Sequence, residues 1–257
     1  MASHKSRKSA GIIPARFASS RFPGKPLATI DGISMIERVY RQAAKAPSLQ
    51  AVCVATDDER IYRHVRQFGG RVVMTDRSHQ SGTDRCAEVA AELKGFDIVV
   101  NIQGDEPFLD PGQLEGLIGA FDRKEVDVCT LATPVKSREE IFAPDAVKVV
   151  FDRDHRALYF SRSPIPHIAG RPEKEWMANE IHYRHIGLYA FRRSTLLELA
   201  ELKPAALEQC ESLEQLRWLY EGYRIQVNLT DHQTLGIDRP EDVERAEQWL
   251  KEQKEQS

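Results

Sequence analysis

Short apolar runs alternate with amphipathic stretches through the first half of the chain. Gly11–Pro14, Ala51–Ala55, Arg71–Met74 and Asp97–Ile102 are too short for helices and predict strands. Between them, the apolar positions of Ser34–Ala46 recur at helical spacing, with Met35, Ile36, Val39 and Tyr40 on one side. Asp58–Phe68 and Thr83–Leu93 predict further helices, the first capped by Asp57 or Asp58. Strands alternating with helices imply parallel βαβ units, an α/β chain with a doubly wound, mostly parallel sheet. The unbroken run Ile98, Val99, Val100 suits a strand covered on both faces. In such sheets ligands bind beyond the carboxyl ends of the strands, so the residues just after each run become the candidates.

The second half is less regular. Val147–Phe151 and Ala157–Phe160 predict neighbouring strands, His185–Phe191 and Ile225–Leu229 two more. Glu211–Tyr220 predicts a helix, and Pro240–Glu252 a last one with proline in its first turn. Gly170–Glu180 is polar, contains glycine and proline, and predicts a mobile loop. No repeat, low-complexity stretch or linker breaks the pattern, so residues 1–257 are expected to form a single domain with a smaller β-rich insertion, preceded by a disordered tail over residues 1–8.

Composition narrows the function. A net charge of -3 lacks the basic balance of a nucleic-acid binder, yet allows a local basic pocket for a small anion. No apolar run approaches the roughly 18 residues that span a bilayer, so no membrane insertion is expected. Met1–Ala10 is polar and basic with no hydrophobic segment after it, unlike a secretory signal. Cys53, Cys86, Cys129 and Cys210 form no CxxC pair, which argues against zinc; Cys53 and Cys129 sit in apolar, strand-like runs as small core residues, consistent with a reducing cytoplasm.

Ile13-Pro-Ala-Arg16-Phe-Ala-Ser19-Ser-Arg21-Phe-Pro-Gly24-Lys25-Pro26 directly follows the first predicted strand. It joins cations to small residues and two prolines. A triphosphate needs fixed positive charge and backbone N–H groups that approach closely. Arg16 suits bidentate contact with phosphate, and Lys25, framed by Pro23 and Pro26 in a solvent-facing loop, supplies a point charge. The segment is neither GxxxxGK[ST] nor GxGxxG. A merely solvated basic loop is the alternative.

Asp105, in Gln103-Gly104-Asp105-Glu106-Pro107, lies just past a predicted strand, where a carboxylate can hold Mg²⁺ against phosphate oxygens. Asp238, between a strand and a helix, either joins it or caps the helix that begins at Pro240. His79-Gln80-Ser81-Gly82-Thr83-Asp84-Arg85 runs into a helix; its small residues would let main-chain groups reach a flat pyrimidine edge, or Ser81 or Thr83 simply caps the helix. His185 and Tyr189, four apart in one strand, face the same side.

Taken together, PARFASSRFPGKPLA, VATDDERI, HQSGTDR, NIQGDEPF, HIGLY, LEQLR and GIDRPEDVE resemble, in order and along nearly the whole chain, the sugar nucleotidyltransferases, in the branch of the Kdo (3-deoxy-manno-octulosonate) cytidylyltransferases. The resemblance implies CMP transfer from CTP to the anomeric hydroxyl of a 3-deoxy-2-ulosonic acid, for lipopolysaccharide biosynthesis, by a homodimer. It implies Mg²⁺ on Asp105 and Asp238, catalysis by these two with Arg16 and Lys25, and CTP contacts from Arg16, Ser19, Lys25, Ser81, Gly82, Arg85 and Gln103. Arg162, His185, Tyr189, Glu214 and Gln215 match its sugar-binding positions. The rival readings are transfer to 8-amino-Kdo or a sialic acid, and a non-catalytic nucleotide- or sugar-binding protein.

Overall fold

The computed structural model describes residues 7–18, 22–232 and 236–255. Their order is β1 Ser9–Ala15, β2 Thr29–Ile30, β3 Ile33–Ser34, α1 Met35–Ala43, β4 Leu49–Thr56, α2 Glu59–Gln67, β5 Val72–Met74, α3 Gly82–Glu92, β6 Ile98–Asn101 and α4 Pro111–Gly119. There follow β7 Val128–Pro134, α5 Arg138–Phe142, β8 Lys148–Phe151, β9 Ala157–Ser161, β10 Tyr183–Arg192, α6 Arg193–Ala200, α7 Ala206–Glu211, α8 Gln215–Tyr220, β11 Ile225–Leu229 and α9 Glu241–Glu255. The chain divides into two compact units, Met1–Glu115 with Thr234–Ser257, and Gly116–Gln233. Of the tail expected over residues 1–8, the first six lie outside the described residues; Lys8 already bonds through its backbone to Asp97.

In the first unit β6, β1, β4 and β5 lie side by side, all parallel. Ile98, Val99 and Val100 are fully buried, as a strand covered on both faces requires. Each such side chain stabilises the fold by about 1.5–3 kcal/mol. The helices start where the sequence supplies caps. The Ser34 hydroxyl accepts from Glu37 N, and Asp58, not Asp57, accepts from Arg60 N to cap α2. Helix α9 returns to this unit and buries Ala246 against Ile30, Met35, Phe108 and Ile237.

The second unit is mixed. Strand β11 runs parallel to β7, and β7–β10, β10–β8 and β8–β9 are antiparallel. Two segments differ from expectation here. Gly170–Glu180, expected as a mobile loop, contains a 3-10 helix, Glu173–Asn179. Trp176 decides it: the ring is buried against Val135 and Ile141, stacks on His182, and donates through Nε1 to Arg171 O. Tertiary burial overrides the local glycine and proline signals. Glu211–Tyr220 is not one helix. Ser212, at φ +53°, breaks it between α7 and α8, and Arg162 Nε donates to the terminal Glu211 carbonyl at 2.7 Å.

Candidate active site

The four parallel strands of the first unit finish on one edge, with Ala15 opposite Thr56, Thr56 opposite Met74 and Ile12 opposite Asn101. The segments that follow them carry the predicted residues. Gly24 sits at φ +72°, a left-handed conformation glycine adopts without strain, and its N–H donates to Phe17 O at 2.9 Å, closing the loop ahead of Lys25. Lys25 then opens a short 3-10 turn with Pro26 buried beneath it.

Lys25 is not the solvent-facing residue the sequence suggests. Its Nζ donates to Asp105 Oδ2 at 2.9 Å, to Ile237 O at 2.9 Å and to Asp238 Oδ1 at 3.2 Å. The two carboxylates lie 80 and 213 positions away in sequence. All three ammonium N–H groups are accounted for. The lysine side chain is only 15% exposed, against 35% for Asp105 and 48% for Asp238. Two backbone features bring the acids together. Ile237 N donates to Asp105 O at 3.0 Å, and Gly104 lets its segment lie against β1, where a Cβ would stand 3.2 Å from Pro14 O. The N–H groups of Asp238 and Arg239 both bond to Asp242, and the Asp238 Oδ1 faces Lys25. Burial pushes the Asp242 carboxyl up, but those two N–H groups and the Arg245 charge outweigh it and hold it below the ordinary range.

This donor set fits Mg²⁺: two carboxylates with exposed oxygens converge on one cation, and Mg²⁺ takes one or two carboxylates with phosphate and water completing its octahedron. With Lys25 counted, the trio carries a formal charge of about -1, a poor seat for a triphosphate unless a further cation joins it.

Arg16 Nη2 donates to the carbonyls of His79 and Ser81, tying the segment after β1 to the loop before α3. Ser81 makes a capping box with Asp84, its hydroxyl accepting from Asp84 N at 3.0 Å while its own N–H donates to the Asp84 carboxylate. Gly82 packs on Pro14 so closely that a Cβ would lie 3.2 Å from the ring. The side chain of Ser81 is thus committed to the cap, and what this loop offers a ligand is backbone. Gln103 is half-buried in the turn beside Asp105. Arg85 is fully buried, with Nη1 on Thr75 Oγ1 and Nη2 on Asp57 Oδ2 at 2.9 Å; it braces α3 against the ends of β4 and β5 and is closed to solvent. Asp57 therefore serves as its counter-ion. Ser19 lies outside the described residues.

The sugar candidates lie in the second unit. His185 and Tyr189 touch, ring centroids 5.3 Å apart, although β10 bulges between them. Ile186 pairs with Leu131 and Tyr189 with the next residue back, Thr130, so the bulge adds two residues and the strand's alternation survives it. Thr130 fills the bulge, its Oγ1 lying 2.9 Å from His185 Nε2 and donating to the backbone oxygens there. Burial, with Arg184 nearby, pulls the His185 imidazole down to about 3. Burial and the charge of Glu214 push the Tyr189 phenol well above its usual value, so neutral imidazole and intact phenol stand together. Glu214 bonds Arg217 Nη2 at 2.9 Å, and Gln215 is buried at the start of α8. Arg162 follows β9, its guanidinium held by the carbonyls of Glu211, Pro144 and Ser212.

The Cytidylyltransferase family model matches residues 10–225. The 3-deoxy-manno-octulosonate cytidylyltransferase of Parabacteroides distasonis is 50% identical over 245 residues, 93% of this chain and 97% of that protein. The enzyme of the same name from Geobacter sulfurreducens is 46% identical over 93% of this chain and 98% of its own length. The chain belongs to the 3-deoxy-manno-octulosonate cytidylyltransferase family. A solved CMP:2-keto-3-deoxy-manno-octonic acid synthetase complexed with CTP superposes with a TM-score of 0.88 at 40% identity, covering 96% of this chain and 99% of that one. A 4-diphosphocytidyl-2C-methyl-D-erythritol synthase from Anaerococcus prevotii, at 15% identity and a TM-score of 0.63, shares the fold alone. The doubly wound, mostly parallel sheet expected from the strand–helix alternation, and the nucleotidyltransferase fold that the resemblance implies, are thus the fold of this family.

Two residues of these sites escaped the sequence reading. Thr130 lies in β7, which the sequence marked only as a strand-like run around Cys129. Asp242 had a signal: an acid four positions after Asp238, across Arg-Pro, is where a carboxylate can reach back to the turn.

Proposed function

We propose that this chain transfers CMP from CTP to the anomeric hydroxyl of 3-deoxy-manno-octulosonate, releasing pyrophosphate. One observation carries the reading: Lys25, Asp105 and Asp238 meet within 3.2 Å in a chain 50% identical to an enzyme named for that reaction. The triphosphate draws Lys25 from its carboxylates onto phosphate oxygens, where its point charge offsets the charge that builds as pyrophosphate leaves. Asp105 and Asp238 would then hold Mg²⁺, which supplies Lewis-acid neutralisation of the phosphates. Arg16 keeps its loop ordered through Nη2 and offers its remaining N–H groups to phosphate. The backbone of Ser81 and Gly82, with Gln103, reads the cytosine edge, and buried Arg85 supports them from beneath.

In the second unit Arg162 receives the sugar carboxylate, and His185, Tyr189, Glu214 and Gln215 take its hydroxyls. A histidine held at about 3 is a weak general base near neutral pH, so its part is to orient. The same reading makes the protein a cytoplasmic homodimer serving lipopolysaccharide assembly. No described helix is long and apolar enough to cross a membrane, all four cysteines are free, and Leu158, Ile181 and Leu229 stand exposed in the second unit.

The test is product analysis by anion-exchange chromatography. CTP and the sugar with Mg²⁺ should give CMP-sugar and equimolar pyrophosphate, EDTA should stop it, and UTP should be used at least tenfold less well. Parallel reactions with 8-amino-Kdo and a sialic acid settle sugar choice. Absence of CMP-sugar with every acceptor would leave a binding protein instead.

A further inference from the structure

Lys148 opens β8 and is fully buried. A buried ammonium without partners is costly, so its surroundings must compensate. They do so with neutral groups: Nζ donates to Ala143 O at 2.8 Å, Ala146 O at 2.5 Å and Arg162 O at 2.7 Å. The third acceptor is the carbonyl of the residue assigned to the sugar carboxylate. On the other side, Glu211 accepts from Arg162 N at 3.0 Å and from Ser161 Oγ at 2.6 Å. Residue 162 is therefore gripped at both its N–H and its carbonyl, by a buried cation and a carboxylate.

The charges point the same way. The three acceptors of the Arg162 guanidinium, on Glu211, Pro144 and Ser212, are all backbone carbonyls, so among the described residues two of its five N–H groups remain over and no side-chain carboxylate is bonded to it. Lys148, Arg162 and Glu211 together sum to a formal charge of about +1. Glu140, the other acid whose charge Lys148 feels, is already paired to Arg184 Nε at 2.6 Å. A partly exposed guanidinium in a net-positive, backbone-anchored cluster is set to take one more anion.

We propose that Lys148, with Glu211, is a positioning residue for the acidic sugar: it fixes the backbone of Arg162 so that the guanidinium meets the substrate's carboxylate. The inference rests on the assignment of Arg162 above, and its test separates the two. Lys148→Met, Arg162→Ala and the double variant are assayed for KM of the sugar, KM of CTP and kcat, after circular dichroism shows each folded. Arg162→Ala should raise the sugar KM at least tenfold with CTP KM within twofold. Lys148→Met should raise the sugar KM five- to tenfold, and the double variant should be no worse than Arg162→Ala, because Lys148 acts through Arg162. If Lys148→Met does not fold, Glu211→Gln replaces it; the amide keeps an acceptor for one donor but loses the charge. Multiplying effects in the double variant, or an unchanged sugar KM in the folded single variant, overturns the positioning role and leaves Arg162 as assigned. An unchanged sugar KM in Arg162→Ala overturns that assignment and the inference with it.

Discussion

Replacing Lys25 by alanine tests the phosphate site from two sides. The lost ammonium makes bonds of 2.9 and 3.2 Å to two carboxylates and one of 2.9 Å to the Ile237 carbonyl. Unscreened attraction at about 3 Å is worth roughly 1.4 kcal/mol in water and about 5 at an effective dielectric near 20. Because the carboxylates are 35% and 48% exposed, the net loss should fall near the lower figure, about 1–2 kcal/mol in all. At roughly 2–4 °C per kcal/mol for a chain of this size, Tm should drop by about 2–8 °C and the fold should survive. Turnover should suffer far more. A preorganised charge aimed at developing negative charge is worth about 10²–10³ in kcat, so stopped-time assays with saturating CTP and sugar should show that fall. Lys25→Arg should recover part of it, since a planar guanidinium does not reproduce a compact ammonium.

The second side has the opposite sign. Without nucleotide, Lys25 occupies the point on which Asp105 and Asp238 converge. Removing it takes the local formal charge from about -1 to about -2, so Mg²⁺ alone should bind the variant several-fold more tightly in calorimetric titration. A folded Lys25→Ala protein with near-wild-type kcat would refute the phosphate role. Weaker Mg²⁺ binding would refute the shared site.

Gly104→Ala should keep the fold but cut kcat about tenfold, because the added Cβ meets the rigid Pro14 carbonyl at 3.2 Å and must displace the Asp105 turn; unchanged turnover would show that the turn tolerates the shift. His185 contributes a pH dependence whose sign is fixed by its imidazole being held at about 3, below its unfolded value near 6.5. Between those values the unfolded chain binds the extra proton, so urea-melt stability should fall as pH is lowered through this window, by up to about 1.4 kcal/mol per unit, and His185→Gln should flatten the slope. An equal slope in the variant would mean that other groups carry it. Light scattering at micromolar protein should give twice the chain mass; a monomer would remove the homodimer.

Local pattern made the first unit readable. Its strands are continuous apolar runs, its helices carry Ser34 and Asp58 caps, and the order of elements in a parallel sheet places loops on one edge almost by necessity. What could not be read there was the partner of a charge. Lys25 seemed a solvent-facing loop cation because its two acids are 80 and 213 residues away, and Arg85 seemed available to a ligand because nothing local announces Asp57 and Thr75 around it. The second unit was harder because its elements answer to tertiary contacts. Trp176 packs a 3-10 helix out of a glycine- and proline-bearing stretch, and the carbonyls at the Ser212 break are met by Arg162, 50 residues earlier. Strand β7 was legible only as a strand-like run around Cys129, without bounds, although Val128–Thr133 are all buried, since Thr130 and Thr133 interrupt the apolar residues.

The charge distribution explains why the chemistry divides as it does. A nucleotidyl transfer must hold two anions, a triphosphate and a sugar acid, that repel each other. Placing positive groups around both would make two strongly cationic sites, each liable to take the wrong anion. On the proposed reading the first unit offers the trio of Lys25, Asp105 and Asp238, net about -1, which would reject a bare carboxylate and accept a triphosphate only in company with a divalent cation. The second unit offers Lys148, Arg162 and Glu211, net about +1, sized in charge for one carboxylate and too weak to neutralise a triphosphate. On that reading, discrimination between the two substrates would follow from the sign of each cluster before any shape is read. The consequence is sharp enough to measure: Glu211→Gln, which raises the second cluster to about +2, should make free pyrophosphate a better inhibitor against the sugar even as the loosened Arg162 raises the sugar KM, while leaving its inhibition against CTP unchanged.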